Sequence, residues 1–177
     1  KGTLKDNTIV ATVMSNLGFF LMGKEKGIHI EQTKVGDRYV LERMLEIGAN
    51  LGGEQSGHII FLDENTTGDG LLSALHLLQV MVETKKPLSE LATIMSVLPQ
   101  ALVGAKVPNH KKDSYMEYTE IAEAIAHVSA KFADEGRVLI RPSGTEPLVR
   151  VMIEGKDQKL IEKEARELAE LIQNVML

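Results

Sequence analysis

Two periods of apolar residues run along this chain. Thr8-Ile9-Val10-Ala11-Thr12-Val13-Met14 is a continuous, β-branched apolar run of strand length, which suits a buried strand. Ser15-Asn16 offers capping chemistry, and Leu17 to Lys26 then carries apolar residues at helical spacing until Gly27 stops the helix. Ile28 to Thr33 alternates like a second strand. Val35-Gly36-Asp37-Arg38 reads as a turn, with Asp37 as the cap of a helix over Arg38 to Ile47. That helix places Val40, Leu41, Met44, Leu45 and Ile47 on one stripe and ends at Gly48. Ala49-Asn50-Leu51 leads into a loop, Gly52-Gly53-Glu54-Gln55-Ser56-Gly57-His58, and Ile59 to Leu62 is strand-like again. Strand-helix alternation of this kind predicts an α/β layer with a mainly parallel sheet.

Asp63 to Gly70 is polar and turn-rich. Asp69 or Thr67 can cap a long helix carrying Leu71, Leu72, Leu75, Leu78 and Val82 to about Lys85. Pro87 breaks that pattern, a shorter helix begins near Ser89 and runs to about Met95, and Pro99 marks the expected domain boundary. The rhythm then changes. Ala101 to Val107 reads as a strand, Pro108 to Ser114 as a mobile polar loop, and Tyr118 to Phe132 as a helix. Two strands follow, Arg137 to Ile140 and Leu148 to Ile153, and a final helix spans about Gln158 to Val175. This order predicts a small α+β domain, residues 99–177, with helices packed on an antiparallel sheet, after an α/β domain over residues 1–98. There is no internal repeat or low-complexity tract.

The 177 residues and their ordinary apolar content imply a folded protein of one large or two small domains. A net charge of -5 argues against a nucleic-acid or anionic-membrane surface as the main task, so any anion must be met locally. The chain has no cysteine, which excludes disulfides and thiolate chemistry and fits a reducing, cytoplasmic location. No apolar run reaches bilayer length, and the N-terminus lacks the order of a signal peptide. Lys1-Gly2-Thr3 has no initiator methionine and starts as if cut from something longer.

Two loops carry candidate chemistry. Arg141-Pro142-Ser143-Gly144-Thr145-Glu146-Pro147 lies between two strands, and its prolines and glycine fix a defined connection. Arg141 offers a planar fork of donors, Ser143 and Thr145 offer hydroxyls, and Gly144 lets backbone N–H groups approach an oxyanion, with Arg150 as a second cation from the next strand. The same residues also make an ordinary hairpin loop with a surface arginine. In Gly53-Glu54-Gln55-Ser56-Gly57, an extended segment would point Glu54 and Ser56 the same way, a carboxylate beside a hydroxyl that suits a polyol. A structural turn is the plain alternative. His58 has the intrinsic pKa for proton transfer or phosphate contact, and the Asp37-Arg38 pair could supply a base or a phosphate contact. A packing histidine and a helix cap remain open for them. His29, His76, His110 and His127 lack metal-ligand spacing, His76 being explained by burial on its leucine-rich helix. Asp63, Glu64 and Asp69 lack the spacing of a calcium loop, so no metal is expected.

These loops, in this order, resemble the α-D-phosphohexomutase superfamily. Its third domain carries a Gly-Glu-x-Ser-Gly sugar loop and its fourth an Arg-x-Ser-Gly/Asn-Thr phosphate loop. Thr12-Val13-Met14-Ser15-Asn16, Val35-Gly36-Asp37-Arg38-Tyr39-Val40 and Asn65-Thr66-Thr67-Gly68-Asp69-Gly70, with the complete Arg-Pro-Ser-Gly-Thr-Glu-Pro, are similar in wording to its bacterial phosphoglucosamine mutase branch. The resemblance implies an intramolecular phosphotransferase of the isomerase class. It would interconvert glucosamine 6-phosphate and glucosamine 1-phosphate, feeding UDP-N-acetylglucosamine and cell-wall synthesis, through a sugar bisphosphate and an enzyme phosphoserine.

The family's serine loop, Thr/Ser-Ala-Ser-His-Asn-Pro, and its Asp-Gly-Asp-x-Asp-Arg magnesium loop do not occur in this sequence. The resemblance therefore implies a C-terminal part, inactive by itself, comprising a third domain without its opening segment and a whole fourth domain. Magnesium, the bisphosphate activator and the N-terminal domains then belong to the full-length protein, whose relatives often pair through the first domain. Glu54 and Ser56 would bind sugar hydroxyls, and Arg141, Ser143, Gly144, Thr145 and Arg150 the phosphate that is not transferred. His58 would sit near the transferring phosphate, and Asp37 stands where mannose-type members carry a histidine. A phosphoglucomutase or phosphomannomutase fragment, or a non-catalytic phosphosugar-binding module, is the alternative.

Overall fold

The computed structural model describes residues 2–133 and 135–177. The start at Lys1 lies outside the described residues. The chain divides into two compact units, residues 1–97 and 98–177.

In the first unit, β1 (Thr8–Thr12), α1 (Leu17–Lys26), β2 (His29–Thr33), α2 (Asp37–Ile47), β3 (Leu51–Gly53) and β4 (Ile59–Phe61) precede α3 (Gly70–Thr84) and the short α4 (Leu88–Leu91). The sheet order is β2-β1-β3-β4, with β1 parallel to both neighbours and β4 antiparallel to β3. The capping residues act as expected. Asn16 accepts from the Gly18 N–H at 3.0 Å, and Gly27 and Gly48 close α1 and α2 in the left-handed region at φ 68° and 72°.

The start of α2 departs from the sequence reading. Gly36, at φ 129°, is the N-cap, and Asp37 is the first helical residue, its carboxylate accepting from the Arg38 N–H at 2.9 Å. A left-handed φ that only glycine adopts easily moves the cap one residue back. The stripe is also narrower than expected: Val40 and Met44 are buried, whereas Leu45 is 63% exposed. Position 45 follows Met44 by about 100° around the helix and so turns away from the sheet.

The sequence predicts only the approach to a loop at β3, because Gly52-Gly53 has little intrinsic strand preference. Tertiary packing decides otherwise. A Cβ on Gly52 would meet Met44 Sδ at 2.5 Å and Val40 Cγ1 at 2.8 Å, so α2 lies directly on β3 and leaves room only for glycine. Val10, Val40, Met44, Ala49 and Ile60 form the core between this sheet face and α2.

Asp69 caps α3, accepting from the N–H groups of Leu71 and Leu72 at 2.9 and 3.0 Å. No residue of this leucine-rich helix is buried. His76 is therefore not a core histidine: its ring stacks on Phe61 with centroids 4.1 Å apart, and Nε2 lies 2.7 Å from Glu64 Oε1.

The second unit contains β5 (Gln100–Lys106), α5 (Thr119–Phe132), β6 (Arg137–Pro142), β7 (Leu148–Glu154) and α6 (Gln158–Met176). Its sheet, β5-β7-β6, is antiparallel throughout. Val149, Val151 and Ile153 of β7 pack with Ile121, Val128 and Phe132 of α5 and with Ile161, Leu168, Ile172 and Met176 of α6 in one continuous core. Arg137 and the fully buried Glu154 form an ion pair at 2.5 Å across β6 and β7. The segment expected to be a mobile loop is held. Lys111 Nζ donates to the Met176 carbonyl at 3.1 Å and Lys112 Nζ to the Ser143 carbonyl at 2.7 Å, and just beyond the segment Tyr115 Oη donates to the Ile140 carbonyl at 3.1 Å. Its polar composition conceals these long-range bonds.

Among the described residues no helix is long and apolar enough to cross a membrane.

Candidate functional site

Each unit carries one candidate loop. In the first unit the loop joins β3 to β4. The Glu54 N–H donates to the His58 carbonyl at 2.9 Å and the Gly57 N–H to the Glu54 carbonyl at 3.0 Å, with Gly57 at φ 102°. This is a tight turn rather than an extended segment, and the turn itself brings the side chains together. Ser56 Oγ donates to Glu54 Oε1 at 2.5 Å and lies 2.9 Å from His58 Nδ1, which is 3.3 Å from Glu54 Oε1. Glu54 Oε2 accepts from the Gly36 N–H at 3.2 Å. One close approach requires glycine, since a Cβ on Gly53 would meet the His58 carbonyl oxygen at 2.7 Å, and a second is tight, a Cβ on Gly68 meeting the His58 side chain at 3.1 Å.

The Glu54 side chain is 11% exposed, whereas that of His58 is 52% exposed. A nearly buried carboxylate thus collects a hydroxyl, an imidazole and a backbone N–H, while the imidazole presents its other edge to solvent. A carboxylate has about four lone-pair sites, so Glu54 retains acceptor capacity. Asp37 and Arg38 face elsewhere. Arg38 Nε bonds Glu42 Oε1 at 2.7 Å, a partner that raises the Arg38 pKa above its ordinary value, and Asp37 bonds the start of its own helix. The neighbouring Gly36 N–H is what joins that turn to Glu54.

In the second unit the loop joins β6 to β7. The strand continues beyond Ile140 through Pro142, which sets Arg141 directly opposite Arg150 in the antiparallel register. Cross-strand like charges repel. Burial, and secondarily the Arg150 charge, lower the Arg141 pKa, and the buried Arg141 Nε has no hydrogen-bond partner. A buried guanidinium N–H without an acceptor is costly unless something else supplies one.

Ser143 is buried and acts first as a brace: its N–H donates to the Leu148 carbonyl at 2.9 Å and its Oγ accepts from the Glu146 N–H at 3.2 Å. Lys112 holds the Ser143 carbonyl from outside the hairpin. Gly144 and Thr145 are exposed, and a Cβ on Gly144 would meet nothing within 4 Å, so the fold itself does not demand glycine there. Arg150 donates to Glu146, a short ion pair at the loop's edge.

Lys112, Tyr115 and Glu146 were not singled out as site residues from sequence. Glu146 could have been, since it lies four residues before Arg150; Lys112 sits in a polar run that carries no motif. Among the described residues no three His, Asp or Glu side chains converge as a metal site.

The family model described as phosphoglucomutase/phosphomannomutase, alpha/beta/alpha domain III, matches residues 1–98, and the one described as the phosphoglucomutase/phosphomannomutase C-terminal domain matches residues 102–171. The chain is 61% identical over 173 residues to a phosphoglucosamine mutase of Ruminiclostridium cellulolyticum and 62% identical over 173 residues to one of Acetivibrio thermocellus. Each match covers 98% of this chain and 38% of the relative, so the chain spans well under half of their length. Among solved structures, the Aspergillus fumigatus N-acetylphosphoglucosamine mutase in complex with GlcNAc-6P and magnesium superposes with a TM-score of 0.79 at 17% identity. That match covers 96% of this chain and 39% of that one, and it shows a shared fold. An N-acetylglucosamine-phosphate mutase of the alpha-D-phosphohexomutase superfamily, in its substrate complex, gives 0.76 at 23% identity over 93% of this chain and 38% of that one. With both of its units matched in sequence and its fold shared with these enzymes, this chain belongs to the phosphoglucomutase/phosphomannomutase family.

Proposed function

We propose that this chain is the phosphosugar-recognising part of a phosphoglucosamine mutase, which interconverts glucosamine 6-phosphate and glucosamine 1-phosphate through a sugar bisphosphate and an enzyme phosphoserine. The observation that carries the reading is the buried Arg141 Nε without a partner, in a guanidinium set opposite Arg150 beside an exposed Gly144-Thr145 backbone. A phosphate oxygen supplies the missing acceptor, and its charge offsets the repulsion between the two arginines. Thr145 adds a hydroxyl, and Gly144 keeps the approach to the backbone N–H groups open. Ser143 contributes chiefly by holding the loop's shape.

Glu54 takes the role of hydroxyl acceptor for the sugar, oriented by Ser56, His58 and the Gly36 N–H. His58, held through Nδ1, presents Nε2 as a donor or acceptor toward a phosphate oxygen. Asp37 and Arg38 take no direct part, since their bonds run along α2. The choice of glucosamine is supported by the names of the relatives near 60% identity.

Residues 1–98 would be an α/β domain III without its opening segment, and 99–177 the C-terminal domain. The phosphoserine loop and the magnesium ligands would lie in the remaining length of the full protein. Among the described residues no cluster of carboxylates is arranged to hold a magnesium ion. The absence of cysteine supports a cytoplasmic setting.

The test is made on the full-length protein, following glucosamine 6-phosphate by phosphorus NMR. Wild type should form glucosamine 1-phosphate, and Arg141→Ala should lower kcat/KM by about ten- to a hundredfold, the loss of one or more charge-assisted bonds. Binding without conversion by the wild-type full-length protein would favour the non-catalytic module. Preferred turnover of mannose or glucose phosphates would replace the sugar assignment.

A further inference from the structure

The loop that carries the candidate phosphate site also carries an anion of its own. Glu146 lies four residues before Arg150, and its Oε2 accepts from an Arg150 Nη. The main chain around it is fixed. The Glu146 N–H donates to Ser143 Oγ at 3.2 Å, its carbonyl accepts from the Leu148 N–H at 2.9 Å, and the Pro147 carbonyl accepts from the Val107 N–H at 3.1 Å. The Glu146 side chain, by contrast, is 51% exposed. Exposed side chains change rotamer readily, so the carboxylate can swing without disturbing the loop that shapes the site.

A second cation stands within that swing. Lys106 of β5 pairs with Leu148 of β7 and so shares a sheet face with Leu148 and with Arg150 beyond it. Glu146, two residues before Leu148, is diagonal to Lys106, a separation of about 7–8 Å that long side chains span. Both residues line one cleft of about 410 Å³, whose other walls include Val107, Pro147 and Leu148. Those walls are apolar, and among the described residues no carboxylate pairs with the Lys106 ammonium. A phosphate monoester brings about two negative charges near neutral pH. Seated between Arg141 and Arg150 with Glu146 still on Arg150, it would set about three negative charges against the two arginines, with like charges side by side. Moving the carboxylate to Lys106 removes that conflict. The phosphate then balances the two arginines, and Glu146 balances the lysine.

We propose that Glu146 is a displaceable counter-ion of the phosphate site, holding Arg150 until a phosphate takes its place and then turning to Lys106. Its return to Arg150 helps the phosphate leave, as it must in a mutase whose bisphosphate re-enters the site by its other end. The proposal rests on the reading of this loop as a phosphate site.

The test titrates the 177-residue chain with inorganic phosphate and with glucosamine 6-phosphate, read at the Gly144 and Thr145 amides. Glu146→Gln keeps the side chain's shape and its main-chain bonds but not its charge, and should tighten binding of both by about five- to tenfold. Glu146→Ala should act in the same direction. Lys106→Gln should weaken binding by about threefold in the wild-type background and by less than about 1.5-fold in Glu146→Gln, a coupling that direct attraction between Lys106 and phosphate does not produce. In the full-length protein, Glu146→Gln should lower both kcat and the KM for glucosamine 6-phosphate, because the phosphate is held longer. A carboxylate that merely aims Arg150 gives the opposite sign, weaker binding and a raised KM. Saturable binding by wild type that Glu146→Gln and Glu146→Ala weaken or leave unchanged would overturn the proposal and leave the phosphate-site reading standing. No saturable binding by wild type or by either Glu146 variant would overturn both.

Discussion

The two units answer the problem of covering a sheet in opposite ways. The second closes its own core: β7 lies between β5 and β6, and α5 and α6 bury their apolar stripes against the strands with Val149, Val151, Ile153, Ile161 and Ile172 all inaccessible. The first seals one face with α2 and leaves the other as a trough beneath an exposed, leucine-rich α3. Stability in this chain should therefore be concentrated in residues 98–177. The same contrast separates the candidate loops. The Arg141 loop is braced by Ser143, Lys112 and the strand pair, whereas the Glu54 loop rests on a three-residue strand and a tight turn.

The comparison is broken most directly in the cores. Ile153→Ala should destabilise the second unit by about 2–5 kcal/mol through the cavity it leaves. Leu75→Ala, on the exposed face of α3, should change the stability of the 177-residue chain by less than about 0.5 kcal/mol. Urea unfolding followed by amide NMR reads both units separately; similar losses for the two variants would dissolve the distinction.

Arg141→Ala comes next, with an expected loss of about 1.5–3 kcal/mol in phosphate affinity by calorimetry. Its effect on stability should have the opposite sign. Removing a desolvated cation from the place opposite Arg150 relieves a repulsion, so the urea midpoint should hold or rise. A variant that keeps its affinity and unfolds earlier would mean that Arg141 is structural.

Lys112→Ala should weaken phosphate binding by a smaller amount, about 1 kcal/mol, by freeing the Ser143 carbonyl and loosening the loop. Lys112→Arg should restore most of it, and increased amide exchange at Ser143 should accompany the loss.

The smallest effect concerns pH. Hydrogen bonds from Lys5 and Asn50 hold the Asp63 carboxyl below the usual range. A group depressed in this way stabilises the folded state above its unfolded value, about 3.9, and loses that contribution as pH falls through the lower folded value. The Lys5 amide signal should thus be steady from neutral pH down to about pH 4 and shift only below it.

Helix ends were easy to read because Asn16, Gly27, Gly48 and Asp69 act through bonds within a few residues of themselves. Features set by distant partners were not. β3 is concealed by Gly52-Gly53, whose meaning lies in α2 resting on it. The leucines of α3 read as core because periodicity reports an apolar stripe and not what lies against it. The candidate loops stood out through their glycines and prolines, but the convergence of Ser56 and His58 on Glu54 depends on turn geometry, and the bracing by Lys112 spans thirty-one residues of chain.

The central claim is that Arg141 and Arg150 flank an anion site belonging to a phosphosugar enzyme. The most direct measurement is an NMR titration of the 177-residue chain with glucosamine 6-phosphate, with inorganic phosphate and glucosamine as controls. Saturable shifts of the Arg141 Nε–H and the Gly144 and Thr145 amides are expected with the sugar phosphate, weaker ones with phosphate, and none there with glucosamine. An Arg141 Nε–H signal unmoved by millimolar sugar phosphate, while the chain remains folded, would contradict the claim.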